Sequence, residues 1–246
     1  MINWTSSNEF TFNGVDFTID LTPGKNRRQS TSNNFTLVKT RRFIKRYLEL
    51  YHNSGDKVKN ILELGIFQGG GFAFLNELFE PNKIVGVEIS KVPLPALDEY
   101  IAKLGKGAKV YYGTSQDDTK KLHDIYVNDF DSRLDMVVDD ASHLYEFTKA
   151  SFEFLFPLLK PNGIYVIEDW AWSFRPGHQK PNNPWYNKIA LSNLIIECFE
   201  EVIANTVIDK MTIYEQFAVI HKSGGKQEPK KLFSETRRRG RVIEKL

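Results

Sequence analysis

Five short apolar runs punctuate the middle of the chain: NILEL (60–64), KIVGVE (83–88), AKVYY (108–112), LDMVVDD (134–140) and GIYVIED (163–169). Their length suits strands, and their continuous apolar character predicts strands covered on both faces. Between them, residues 71–79, 93–104, 115–127 and 144–159 read as amphipathic helices. Strand and helix in alternation imply right-handed crossovers and a parallel sheet with helices on both faces. A loop rich in Trp, Pro and Asn follows over 170–186, then a helix is expected over 187–200. The runs EVIANTVID and EQFAVIHK suit a sixth strand and an antiparallel closing hairpin.

The ends are patterned differently. A weak strand pattern over 10–21 gives way to the turn-rich polar stretch PGKNRRQSTSNN. Leu37, Phe43, Ile44, Tyr47 and Leu48 then fall at helical spacing, which predicts a helix over 35–51 leading into the first long strand. The final segment, GGKQEPKKLFSETRRRGRVIEKL, has no strong apolar period and is expected to be solvated. With no internal repeat at a period of about 20 to 50 residues, the expected organisation is an N-terminal extension with its lead-in helix (1–57), a central domain (58–221) and a basic tail (222–246).

Composition narrows the class. With 246 residues, 41% hydrophobic and 26% charged, the chain excludes disorder, collagen and coiled coil. No window approaches the roughly 18 to 20 apolar residues that span a bilayer, and MINWTSSNEF lacks the regions of a signal peptide, so a cytoplasmic protein without a membrane partner is expected. The single cysteine, Cys198, excludes an internal disulfide and a cysteine-cluster metal site, and is expected to be buried. Net charge is +2, yet residues 222–246 carry nine Lys or Arg against three Glu, leaving the body at −4.

Two constellations carry chemistry. Ile61 to Gly71 reads ILELGIFQGGG, a strand ending in a glycine-rich turn that opens a helix. Glycines there let the backbone approach a ligand and adopt positive φ, and open parallel sheets bind ligands beyond the carboxyl ends of their strands. A structural tight turn explains the glycines equally well until Glu88 is counted. At the end of the second strand, that acid can accept hydrogen bonds from ribose hydroxyls. The absence of GxGxxG argues against a dinucleotide.

The second constellation is Asp139-Asp140-Ala141-Ser142-His143 after the fourth strand, with Glu168-Asp169 after the fifth. Adjacent parallel strands lie about 4.8 Å apart, so these carboxylates converge and repel unless a cation compensates them. Oxygen ligands favour Mg²⁺, with Ca²⁺ or Mn²⁺ as alternatives, over zinc. Helix caps and ribose contacts would explain a lone Asp but not the whole cluster.

From ELG with its following glycines and the acid of GVEIS, the sequence resembles class I S-adenosylmethionine-dependent methyltransferases over about 58–221. ELGxxxGGG is similar to the branch containing macrolide-sugar O-methyltransferases and cephalosporin-hydroxylase-like proteins. One departure is Ile66-Phe67-Gln68, which stands where many members have a second glycine. The resemblance implies an α/β fold, a doubly wound and mostly parallel seven-stranded sheet with N- and C-terminal additions. It also implies an S-adenosylmethionine site made by Glu63, Gly65, Gly69, Gly70, Glu88, Ser115, Gln116 and Asp139. LDMVVDD looks like the fourth-strand motif of metal-dependent catechol O-methyltransferases, which implies Asp140, Glu168 and Asp169 as metal ligands. His143 holds the position of the catalytic base, as in the DDxSH motif of the macrolide-sugar branch.

Three of the four tryptophans lie on the loop after Asp169. Trp170, Trp172, Arg175 and His178 are candidate acceptor contacts, the aromatics by stacking on a sugar or polyketide and the cations by meeting a phosphate or carboxylate. Packing of the loop into its own small core is the alternative for each Trp. Chemically, a metal and a histidine suit a hydroxyl acceptor, because an alcohol is a poor nucleophile near neutral pH. The expected function is metal-dependent methyl transfer to a hydroxyl of a sugar or glycosylated natural product. The rivals are an RNA methyltransferase using Arg237-Arg238-Arg239-Gly240-Arg241, and a non-catalytic cofactor-binding accessory protein. The acidic body argues against nucleic acid, and a homo-oligomer is compatible with the sequence.

Overall fold

The computed structural model describes residues 2–203, 207–225 and 232–233. The chain divides into two compact units, Met1–Ser115 and Gln116–Leu246.

The first unit opens with a four-stranded sheet ordered β1 (Asn3–Trp4), β2 (Glu9–Phe12), β3 (Val15–Ile19), β4 (Asn34–Leu37). The first three strands pair antiparallel, and β4 runs parallel to β3. Asn13 and Gly14 connect β2 to β3 with φ of 48° and 84°, the positive pair that a two-residue hairpin turn of this kind demands. The strand pattern expected over 10–21 therefore belongs to a sheet. The helix expected from residue 35 begins later: Phe35, Thr36 and Leu37 lie in β4, and α1 spans Arg41–Ser54. Thr40 sets that start, since its side chain accepts a hydrogen bond from the Phe43 N–H at 3.2 Å. Aromatic packing decides the fate of 35–37. Phe10, Phe17 and Phe35 are at most 1% exposed, and both Phe10 and Phe17 meet the edge of Phe74 from α2 (Gly70–Phe79). Burial of one such ring contributes about 1.5 to 3 kcal/mol.

The same unit continues through β5 (Asn60–Leu64), α2, β6 (Lys83–Glu88), α3 (Pro95–Leu104) and β7 (Ala108–Tyr112), with β5, β6 and β7 parallel. Gly70 makes the approach of β4 to α2 possible. A Cβ there would lie 2.0 Å from the Thr36 carbonyl oxygen.

In the second unit α4 (Thr119–Asn128), β8 (Leu134–Asp139), α5 (Tyr145–Leu155) and β9 (Leu159–Glu168) follow the expected alternation, with β8 and β9 parallel. α5 ends four residues before its expected limit, because the chain tightens into a single 3₁₀ turn at Phe156–Leu158, where Pro157 offers no N–H to continue the helix. α6 spans Ser192–Ile203, so the start of EVIANTVID is helical rather than a sixth strand. Its buried face explains this: Leu194, Glu197, Cys198 and Glu201 are all buried at helical spacing. Glu197 accepts from the Tyr145 hydroxyl at 2.7 Å and from Lys149 Nζ at 2.8 Å. Cys198 is buried and free, as expected, and burial pushes its thiol pKa up. β10 (Ile208–Tyr214) and β11 (Phe217–Lys222) form the antiparallel hairpin, with β11 against β9.

The large sheet is seven-stranded and mixed, in the order β10-β11-β9-β8-β5-β6-β7, as the resemblance implies. Among the described residues no helix is long and apolar enough to cross a membrane. Most of the basic tail, including 237–241, lies outside the described residues. The described piece corrects the expectation of a wholly solvated tail. Leu232 is buried, the Phe233 N–H donates to Glu201 Oε1 at 2.8 Å, and the Phe233 ring stacks on Phe152 at 5.9 Å.

Candidate active site

In the first unit the turn after β5 passes repeatedly through the left-handed region, with φ of 85° at Gly65, 50° at Phe67 and 82° at Gly69. Glycine takes such angles freely, whereas Phe67 needs support. The support is Glu88. Its Oε2 accepts from the Ile66 N–H at 3.1 Å and from the Phe67 N–H at 2.9 Å, and its Oε1 accepts from the Ser90 N–H at 2.9 Å. A carboxylate has about four acceptor positions, so one remains on Oε1. Gly113 and Thr114 extend this arrangement, donating their N–H groups to the Ser90 and Glu88 carbonyls at 2.9 Å. Ser115, half-buried, follows directly.

Two of the cofactor candidates in this unit serve the packing. Gly70 abuts β4, and Glu63, 1% exposed, lies under the first turn of α2, its Oε1 2.5 Å from where a Cβ of Gly71 would stand.

In the second unit, Asp139 at the end of β8 is 2% exposed and fully engaged. Ser151 Oγ donates to it at 2.7 Å, the Tyr165 hydroxyl at 2.9 Å and Gln116 Nε2 at 3.2 Å. Burial pushes its pKa up to about 6, against the lowering effect of the Ser151 and Tyr165 hydrogen bonds and of His143. Gln116 is spent in the same network, its Oε1 accepting from the Ser142 N–H at 2.9 Å. The structure thus makes Asp139 and Gln116 the internal support of the turn. A tyrosine within the apolar run GIYVIED was the available signal, since a buried phenol requires a hydroxyl partner.

Beyond Asp139 the geometry gathers three of the expected residues. Asp140, His143 and Asp169 are half-buried and offer one ligand atom each, all within 4.8 Å of one another. His143 Nε2 stands 3.8 Å from Asp140 Oδ1. Glu168 is not in this group; it ends β9 opposite Phe217 and is 2% exposed. Two carboxylates at this spacing suit a divalent cation preferring oxygen, with the imidazole beside them. His143 and Asp169 both hold positive φ, 55° and 47°.

The loop after Asp169 folds largely on itself. Trp172 is buried, meets Trp185 edge-on at 4.9 Å and lies 5.5 Å from the His178 ring. Its indole N–H donates to the His143 carbonyl at 2.8 Å, a link the sequence did not suggest. The Trp170 indole donates to the Tyr214 carbonyl at 3.0 Å. Phe174 and Tyr186 remain exposed, and exposed Arg175 reaches Asp169 Oδ1 at 3.5 Å.

Comparison with known proteins agrees with this frame. A methyltransferase domain family matches residues 62–170. A tetracenomycin rhamnosyl 2'-O-methyltransferase of Streptomyces olivaceus is 28% identical over 134 residues, covering 50% of this chain and 32% of that protein. The 3'-O-methyltransferase of the same organism is 33% identical over 125 residues, 48% of this chain and 29% of its own. The chain thus spans about a third of the length of these relatives. Among solved structures, MycE methyltransferase of the mycinamycin pathway, in complex with Mg, SAH and mycinamycin VI, superposes with a TM-score of 0.55 at 23% identity, covering 74% of this chain and 49% of that one. An O-methyltransferase from Bacillus cereus in complex with SAH gives 0.54 at 17%, covering 75% and 82%. At these identities the structural likeness shows the fold. Residues 62–170 therefore match a methyltransferase domain family, the fold is that of the solved O-methyltransferase structures, and the sequence is similar to tetracenomycin rhamnosyl O-methyltransferases.

Proposed function

We propose that the protein is a metal-dependent O-methyltransferase acting on a hydroxyl of a sugar or glycosylated natural product. The observation that carries the reading is the convergence of Asp140, His143 and Asp169 at the carboxyl ends of β8 and β9. S-adenosylmethionine supplies an electrophilic methyl on sulfur, and a divalent ion supplies the charge that lowers a hydroxyl pKa and fixes the oxygen. In the first unit, beside the Gly65–Gly69 turn, the remaining acceptor position of Glu88 Oε1 would take a ribose hydroxyl of the donor. In the second, Asp140 and Asp169 would hold the ion, while Glu168, 2% exposed at the end of β9, stands outside this group. His143 Nε2, 3.8 Å from Asp140 Oδ1, would take the hydroxyl proton as the methyl passes from the donor sulfur to the acceptor oxygen. Phe174, Tyr186 and Arg175 give the loop its exposed aromatic and cationic groups toward the acceptor.

The test is transfer of labelled methyl from S-adenosylmethionine to a panel of glycosylated polyketides, with Mg²⁺ and with excess chelator. Metal-dependent labelling of a sugar hydroxyl is expected. Equal labelling in chelator rejects the metal. Labelling of RNA alone rejects the acceptor class.

A further inference from the structure

The turn that carries His143 is fixed residue by residue. The Ala141 N–H donates to the Asp139 carboxylate, the Ser142 N–H to Gln116 Oε1 at 2.9 Å, and the Leu144 N–H to Ser142 Oγ at 3.2 Å. The His143 carbonyl receives the Trp172 indole N–H at 2.8 Å. His143 is also the residue of this turn held at positive φ, 55°, an uphill conformation for a side-chain-bearing residue that persists only where its surroundings impose it. Trp172 can impose it because its own ring is packed: it is 4% exposed and lies against Trp185 and His178. The indole therefore has a polar task that its packing alone does not explain. Its ring, which the sequence offers for stacking on an acceptor, is covered.

We propose that Trp172 is a positioning residue for the base, a clamp on the His143 carbonyl that keeps the imidazole beside Asp140 and Asp169. The inference rests on the reading of this cluster as the metal and base site. It assigns the loop after β9 a second role besides acceptor contact, namely holding the base through the Trp172 indole N–H.

Trp172→Phe retains a ring against Trp185 and His178 and deletes the N–H. Replacing Trp172 by its sulfur isostere, benzothienylalanine, deletes the N–H with the shape intact, which covers the case in which the Phe variant fails to fold. Both variants are expected to lower kcat about tenfold at unchanged acceptor KM, as loss of one hydrogen bond and slight misplacement of a base should. They should weaken Mn²⁺ binding several-fold and leave S-adenosylhomocysteine affinity unchanged. Trp185→Phe, which alters the same aromatic contact and no hydrogen bond to His143, should keep parental kcat. Parental kcat and Mn²⁺ affinity in both Trp172 variants would overturn the clamp. A wild-type protein that neither binds Mn²⁺ nor transfers methyl would instead reject the reading of the site. The clamp is then judged on the ¹⁵N-labelled His143 imidazole signal, which it predicts to shift and broaden in the Trp172 variants; an unmoved signal overturns it.

Discussion

The two turns that carry the candidate chemistry solve one problem by opposite means. Each leaves the carboxyl end of a strand and must expose groups at sharp backbone angles. After β5, glycine supplies most of the angles: Gly65 and Gly69 have φ of 85° and 82°, and Phe67 at 50° is held through its N–H by Glu88. After β8 and β9 there is no glycine, and the positive angles fall on His143 and Asp169, the residues whose side chains are needed. A turn that presents backbone can be built of glycine. One that presents an imidazole and a carboxylate must instead be clamped from outside, by Gln116, Trp172 and the buried Asp139 network.

The widest separation between the turns should come from His143→Ala. Removing a positioned base should reduce kcat by about 10² to 10⁴-fold while S-adenosylhomocysteine affinity, measured by calorimetry, stays as in the parent. A comparable loss of cofactor affinity would erase the division of labour. Glu88→Ala should do the reverse. It removes a charged acceptor worth about 1.5 to 3 kcal/mol, so cofactor affinity should fall roughly 10- to 150-fold, with Mn²⁺ binding intact. Unchanged cofactor affinity would show that the acid only braces the turn.

The smallest effect sharpens the comparison by removing a scaffold titration from the second unit's pH response. Burial and neighbouring Lys210 lower the His221 pKa to about 4. Below its unfolded value of about 6.5 the unfolded chain binds a proton that the fold does not, so His221 costs stability as pH falls from about 6.5 to 4. Asp139, raised to about 6, acts with the opposite sign over much of that window, its contribution being lost as pH rises. His221→Gln should therefore gain stability relative to wild type on acidification, by about 1 kcal/mol once solvent screening of this half-buried group is allowed for. Urea unfolding at pH 7 and pH 4.5 reads the difference. Parallel pH profiles would show that His221 does not titrate as described.

Much of the frame was legible because buried parallel strands are continuous apolar runs, and NILEL and KIVGVE fall within a residue of the strands that form. Boundaries failed where tertiary contacts outvoted local pattern. Phe35-Thr36-Leu37 joined a sheet beside Phe17, and Glu201 turned inward on α6. At the site, strand-end position marked Asp140, His143 and Asp169, since chemistry and location coincide in one motif. The roles of Asp139, Gln116 and Trp172 were not legible. They depend on Tyr165, Ser151 and the His143 carbonyl, partners between 12 and 35 positions away that no spacing rule connects.

In the proposed function the turns after β8 and β9 form a divalent metal site with His143 beside it. Mn²⁺ titration followed by electron paramagnetic resonance tests this most directly, without need of the acceptor. One bound ion per chain is expected in the wild type, lost in Asp140→Ala and Asp169→Ala and kept in Glu88→Ala. A wild-type protein that leaves Mn²⁺ free, or binding that survives both aspartate substitutions, would contradict it.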